Sequence, residues 1–181
     1  WGIVAGASEG LGVAFAAALA ARGLNVLLLA RRADHLRRVA EDLRKTSTVE
    51  VRTEAFDLAR PDLAVALEAL TADIDIGLAV YNAAHAPIGE LASRPVDDLT
   101  RVVDVNIRGP LIFARTLAPR MVSRGRGGIV LMSSLAGYQG APRIATYAAS
   151  KAFNIVLGEG LWAELKPHGV DVVVSSAGAI R

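Results

Sequence analysis

Short β-branched or Leu-rich runs recur along the chain near positions 1–5, 24–30, 49–55, 77–81, 127–133 and 170–175, and helix-like stretches fill the gaps near 10–22, 34–46, 61–71, 95–122 and 145–166. This alternation constrains the fold more than any other feature. The runs are β-branched or Leu-rich on both sides of the strand, the pattern of strands buried on both faces. Strands separated by helices can pair in parallel, because each crossover is long enough to carry the chain back. The reading is therefore an α/β fold, a doubly wound parallel sheet with helices on both faces, in one domain over 1–181. Pro61 and Pro95 suit helix starts. Gly23, Gly125, Gly127 and Gly128 suit helix ends and turns. No internal repeat or low-complexity tract interrupts the pattern.

The first unit carries a glycine-rich turn, Ala5-Gly6-Ala7-Ser8-Glu9-Gly10-Leu11-Gly12, between the apolar run Ile3-Val4-Ala5 and an Ala-rich helix. Strand, glycine turn and helix is the context in which such a turn can hold a phosphate. The glycines allow a tight bend and a close approach, and the helix start offers free N–H groups. An ordinary glycine turn between strand and helix is the plain alternative. The second strand ends at Ala30 and is followed by Arg31 and Arg32.

Near the other end, Tyr147 and Lys151 stand four residues apart in Tyr147-Ala148-Ala149-Ser150-Lys151, on one face of a predicted helix. The chain has only three lysines, Lys45, Lys151 and Lys166, so a lysine at that spacing carries weight. An ammonium beside a phenol favours the phenolate, which would make the tyrosine usable as an acid or base. Ser134 lies thirteen residues before Tyr147 at the end of a predicted strand, with Ser133 as its neighbour on the opposite strand face. Asn106 sits inside a predicted helix, where Asn is mildly unfavourable. Pro110 follows four residues later and has no N–H for the Asn106 carbonyl, so a local break is expected there.

Composition narrows the classes. Twenty Lys and Arg against eighteen Asp and Glu leave a net charge of +2, and no basic cluster is interleaved with aromatics, so nucleic acid is not an expected partner. There is no cysteine, hence no disulfide framework or thiolate metal site. His35, His85 and His168 are scattered and give no metal site. No apolar run reaches the length of a membrane span, and a cytoplasmic protein without membrane partners is expected.

Together these motifs resemble the short-chain dehydrogenase/reductase family over essentially the whole chain. Gly6, Gly10 and Gly12 match its glycine loop, with Ser8 and Leu11 between them. Asp57-Leu58 matches its adenine-contacting Asp, and Asn82-Ala83-Ala84 its Asn-Ala-Gly, with Ala84 in place of glycine. Asn106, Ser134, Tyr147 and Lys151 match its catalytic tetrad. The resemblance implies a Rossmann-like domain and hydride transfer between a nicotinamide cofactor and a carbonyl or alcohol substrate. Tyr147 would be the general acid or base, Lys151 would tune it and hold the nicotinamide ribose, and Ser134 would orient the substrate oxygen. The main chain of Asn106 would hold a water in the proton relay. Relatives that prefer NAD end the second strand on an acidic residue. Ala30 stands there and Arg31 and Arg32 follow, so NADP(H) is expected over NAD(H), with Glu9 as the dissenting residue. Ile180 matches the position whose backbone contacts the carboxamide, and Ala177 replaces the usual proline before it.

Compared with the family, the chain opens inside the first strand and stops just after the sixth, so a domain shortened at both ends is expected. A homodimer or homotetramer through the helix carrying Phe153, Val156, Leu157 and Leu161 is also implied. Extended relatives that epimerise or dehydrate nucleotide sugars differ in glycine spacing. A non-catalytic NADP-binding sensor or scaffold is the alternative, but such relatives typically lose the Tyr or the Lys.

Overall fold

The structure is a computed structural model that describes residues 1–178. Six parallel strands form one sheet in the order β3-β2-β1-β4-β5-β6. They are β1 (Gly2–Ala5), β2 (Val26–Ala30), β3 (Val51–Ala55), β4 (Leu78–Tyr81), β5 (Gly127–Ser134) and β6 (Val170–Ala177). The helices are α1 (Gly10–Ala21), α2 (Ala33–Thr46), α3 (Leu63–Leu70), α4 (Val96–Val103), α5 (Gly109–Arg124) and α6 (Ala145–Leu165). The doubly wound α/β fold expected from the alternation is the one observed.

Alternation along each central strand divides the core. Ile3, Ala5, Leu27, Leu29, Ala79 and Tyr81 face one side, where Leu63 and Leu67 of α3 and Phe113, Leu117 and Met121 of α5 meet them. Val4, Val26, Leu28, Ala30 and Val80 face the other, covered by Ala16 and Leu19 of α1 and by Leu36, Ala40 and Leu43 of α2. Full burial on both faces explains why these strands read as unbroken apolar runs.

Two sequence expectations are revised in detail. The helix predicted over 95–122 is three pieces: α4, a π turn at Asp104–Arg108, and α5. Of the four apolar residues assigned to a dimer face, Leu157 and Leu161 pack against the core instead, and Phe153 is half-buried. Val156 is 68% exposed, and Trp162 and Leu111 add apolar surface at 52% and 45%. Among the described residues no helix is long and apolar enough to cross a membrane, and no cluster of His, Cys, Asp or Glu could hold a metal ion.

Candidate functional site

The glycine loop wraps over the ends of β1 and β4. Gly6 takes φ +85°, a left-handed conformation that side chains resist, and an added Cβ would stand 2.5 Å from the Ala83 nitrogen. Gly12 allows no side chain either, because its Cβ would strike the Gly6 carbonyl and come within 2.9 Å of Asn82 Nδ2. Asn82 Nδ2 donates to that same Gly6 carbonyl at 2.9 Å, tying the loop to the end of β4. Gly10, at φ +55°, meets nothing within 4 Å. The three glycines thus divide the work: Gly6 and Gly12 permit close packing, and Gly10 faces open space.

That space is a cavity of about 500 Å³ at the carboxyl ends of the strands. Its walls include Gly6, Ser8, Gly10 and Leu11 of the loop, Arg31 and Arg32 after β2, Asp57 and Leu58 after β3, and Asn82, Ala83 and Ala84 after β4. Gly12 stands behind the wall rather than on it. Sequence reasoning missed Phe56, His85, Arg101 and Val105, which also line it. Arg101 reaches from α4 to Asp57, its Nη2 lying 3.1 and 3.0 Å from the two carboxylate oxygens. Partial burial pushes the Asp57 pKa up, but the Ala59 N–H, Arg101 and Arg31 together hold it below the usual carboxylate value. No sequence signal marks this pair, because the partners are separated by 44 positions.

At the edge of the cavity Arg32 does not stand free. Its Nη2 lies 2.7 Å from Glu9 Oε2 and 3.3 Å from Ser8 Oγ. Arg31 has no hydrogen-bonded or ion-pair partner among the described residues.

The other end of the site is built from buried polar side chains. Asn106 is fully buried in the π turn. Its Oδ1 accepts from the His85 N–H at 2.7 Å, and its Nδ2 donates to the His85 carbonyl at 2.9 Å and to Ser150 Oγ at 3.0 Å. Ser150 Oγ donates in turn to the Tyr147 carbonyl at 2.7 Å. Pro110 can donate to neither the Asn106 nor the Val105 carbonyl, so the regular ladder is open at the π turn. Gly109 N–H bonds Asp104 instead, and the Tyr81 hydroxyl, 2.6 Å away, takes the Val105 carbonyl. A Cβ on Gly109 would collide with that hydroxyl, so glycine is required beside the proline. The break expected around Asn106 is present, in the form of a π turn.

Ser133 and Ser134 point to opposite faces, as strand geometry demands. Ser133 is buried and donates to the Lys151 carbonyl at 2.7 Å, fastening α6 to β5. Ser134 is half-buried and accepts from the Ala136 N–H at 3.2 Å. As an acceptor there, it keeps its own O–H for another oxygen. Tyr147 is half-buried and lines a small cleft with Leu91, Leu99, Arg143 and Ile144.

Lys151 differs from the sequence expectation in one respect. Its Nζ donates to the Met132 carbonyl at 2.9 Å and lies 5.6 Å from the centre of the Tyr147 ring. At 3% exposure it is nearly dry, and burial brings its pKa down to about 8. A dry ammonium must bond something, and the β5 carbonyl is within reach. Asn154 Nδ2 sits 3.5 Å from the same carbonyl. Ile180 lies outside the described residues. A phenol, an ammonium and a serine hydroxyl gathered at one sheet end can donate, accept and orient a proton around a carbonyl oxygen.

Comparison with known proteins bears on this arrangement. The family profile described as short chain dehydrogenase matches residues 1–181. The very-long-chain 3-oxoacyl-CoA reductases of Aspergillus clavatus and Podospora anserina are 35% and 36% identical, over 98% and 95% of this chain. The chain spans 52% of the length of each of these curated relatives. Among solved structures, a bulky-bulky ketone specific alcohol dehydrogenase from Comamonas testosteroni superposes with a TM-score of 0.94 at 30% identity, covering 99% of this chain and 73% of that one. A short-chain dehydrogenase from Sphingobium yanoikuyae in complex with NADPH gives 0.94 at 32% identity, covering 99% and 71%. With a profile that matches from the first residue to the last, the chain belongs to the short-chain dehydrogenase/reductase family.

Proposed function

We propose that this chain is the cofactor-binding and proton-transferring part of an NADP(H)-dependent oxidoreductase that interconverts a carbonyl and an alcohol. The observation that carries the reading is the buried Lys151 ammonium 5.6 Å from the centre of the Tyr147 ring, with Asn106 linked through Ser150 to the Tyr147 carbonyl.

The cavity fits a dinucleotide. Gly10 leaves room where a side chain would intrude, and α1 begins at the cavity without a side-chain cap on its N–H groups. A helix start of this kind accepts a pyrophosphate. Asp57, held ionised, can accept from an adenine amino group. The arginines after β2 favour a 2′-phosphate over a 2′-hydroxyl. NADPH and NADP are named in complexes of two neighbours, and NAD+ in a third, a xylitol dehydrogenase; the arginines of this chain favour the former.

A nicotinamide cofactor held by the glycine loop, Asp57 and the arginines after β2 would supply or receive the hydride. Tyr147 gives its hydroxyl proton to the carbonyl oxygen in reduction and takes it back in oxidation. Ser134 donates its free O–H to the same oxygen and fixes its position. Lys151, 5.6 Å from the centre of the Tyr147 ring, supplies the positive charge that favours the phenolate. Asn106 holds the π turn and, through Ser150, the backbone at Tyr147. The cleft beside Tyr147 has apolar walls from Pro87, Leu91, Leu99 and Ile144 and charged ones from Arg94 and Arg143, which suits a carbonyl with an apolar flank on one side.

The intact protein, assayed for NADPH oxidation across a panel of ketones and 3-oxo esters, should turn over at least one apolar carbonyl. Tight NADPH binding with no turnover on any of them would favour the non-catalytic sensor reading instead.

A further inference from the structure

Glu9 and Arg32 are each the residue that leads a helix: Glu9 precedes α1 and Arg32 precedes α2. Neither side chain makes a capping bond to its own helix. They bond each other instead, with Arg32 Nη2 2.7 Å from Glu9 Oε2, at the edge of the cavity that both residues line. An arginine at a helix start faces the positive end of the helix dipole, which is unfavourable without an anion nearby. Arg31, Arg32 and two helix starts converge here, and the surroundings are those of an anion site. The anion present is the protein's own carboxylate.

We propose, on the NADP(H) reading above, that Glu9 is a built-in competitor with the cofactor's 2′-phosphate for Arg32. A 2′-phosphate that takes the Arg32 guanidinium must displace the Glu9 carboxylate, because the two anions repel and want the same donors. Glu9 is 74% exposed at its side chain and can swing into solvent, so it weakens phosphate binding without blocking it. A 2′-hydroxyl makes no such demand, and the pair stays closed beside it. Ser8, which accepts from Arg32 Nη2 at 3.3 Å, keeps the guanidinium aimed at the cavity while the carboxylate leaves. The result is a protein that accepts NADP(H) through Arg31 and Arg32 yet holds it less tightly than its arginines would allow.

The test is a titration of NADPH and NADH by nucleotide fluorescence in the intact wild-type protein and in Glu9→Gln, Arg32→Ala and the double variant. Glu9→Gln should bind NADPH about tenfold more tightly, on the order of one like charge removed from the phosphate site, with NADH affinity unchanged or lower. The gain should shrink as salt is raised. In the Arg32→Ala background, Glu9→Gln should change NADPH affinity less than about twofold, because the contested donor is gone. No gain in Glu9→Gln, or a gain that survives undiminished in Arg32→Ala, overturns the competition. If wild type and Glu9→Gln both hold NADH more tightly than NADPH, the NADP(H) reading fails. An Arg32-dependent gain for NADPH in that case still supports the competition.

Discussion

The two ends of the site are built by opposite means. At the glycine-loop end, backbone approaches backbone, and the charged side chains at the cavity edge, Glu9, Arg31 and Arg32, are exposed. At the Tyr147 end, the working parts hang on dry polar groups. Asn106, Ser133, Ser150, Lys151 and Asn154 are all at most 4% exposed, and of the buried polar side chains described only Thr71 lies elsewhere. Exposed ion pairs are weak and replaceable, whereas a buried polar network is costly to leave half-satisfied. The first end can therefore change its cofactor preference by single surface substitutions. The second already leaves Asn154 Oδ1 without a partner among the described residues and can spare little more of its network.

The largest effect should come from the Tyr147 end. Tyr147→Phe keeps the ring but removes the proton, and carbonyl reduction should fall by about 10²–10⁴-fold while NADPH affinity stays near wild type. Retained turnover would show that the buried network supports something other than this proton transfer. Asn106→Ala should follow. It strips the His85 N–H and carbonyl and the Ser150 hydroxyl of their partner, for a destabilisation of about 2–4 kcal/mol by chemical denaturation. A loss below about 0.5 kcal/mol would mean that the network tolerates gaps, and the contrast between the two ends would collapse.

Lys151→Met sharpens the contrast through pH. Burial holds the folded pKa at about 8, below the ordinary lysine value of 10.5. Between those values the unfolded chain binds more protons than the folded one, so wild-type stability rises with pH across that window. Below pH 8 the burial penalty is fully present. Lys151→Met removes it, so Tm of the variant minus that of wild type should be greatest below pH 8 and decline towards pH 10.5. A difference independent of pH would deny that the lysine is charged in a dry site.

At the glycine-loop end the effects should be smaller and separable. Arg31→Ala should cost NADPH about tenfold in affinity, in keeping with one charged hydrogen bond, and leave NADH and Tm nearly unchanged. Tighter binding of NADH than NADPH by wild type would reverse the assignment. The smallest structural expectation concerns self-association. Exposed Val156, Trp162 and Leu111 on α6 and α5 should place the protein in a dimer or tetramer at micromolar concentration. Light scattering that shows only monomer would leave those exposed side chains unexplained.

What the sequence made legible follows the same division. The strands were placed to within two residues; β1, β2 and β4 show as plain apolar runs because they are buried on both faces, whereas the half-exposed β3 and β6 were read from β-branched residues and from their place in the alternation. The glycine loop and the Tyr-x-x-x-Lys spacing were readable because each lies within one strand–turn–helix or one helix. Arg101 on Asp57, and Asn106 on the backbone of His85, join residues 44 and 21 positions apart, and periodicity carries no trace of such contacts. Ser150 carried no signal of its own in the sequence, yet it links Asn106 to the start of α6. Lys151 could be placed on the right helix face, but its choice of the Met132 carbonyl depends on how dry the β5–α6 seam is, which only packing decides.

The π turn has a further consequence, in rotational phase. From Val102 through Asn106, Pro110 and Ala114 to Ala118, a buried residue recurs every four positions. In an unbroken α-helix four such steps would turn the buried stripe by about 160° about the axis, since each residue advances about 100°. The surplus residue held at Asp104–Arg108 takes back about 100° of that drift. One buried stripe can then run from Val102 to Ala118, with Arg101 still turned towards Asp57. The turn acts as a phase corrector, and deleting any one residue from it should swing α5 by about 100° relative to α4, so that Arg101 and Phe113 could no longer both keep their partners.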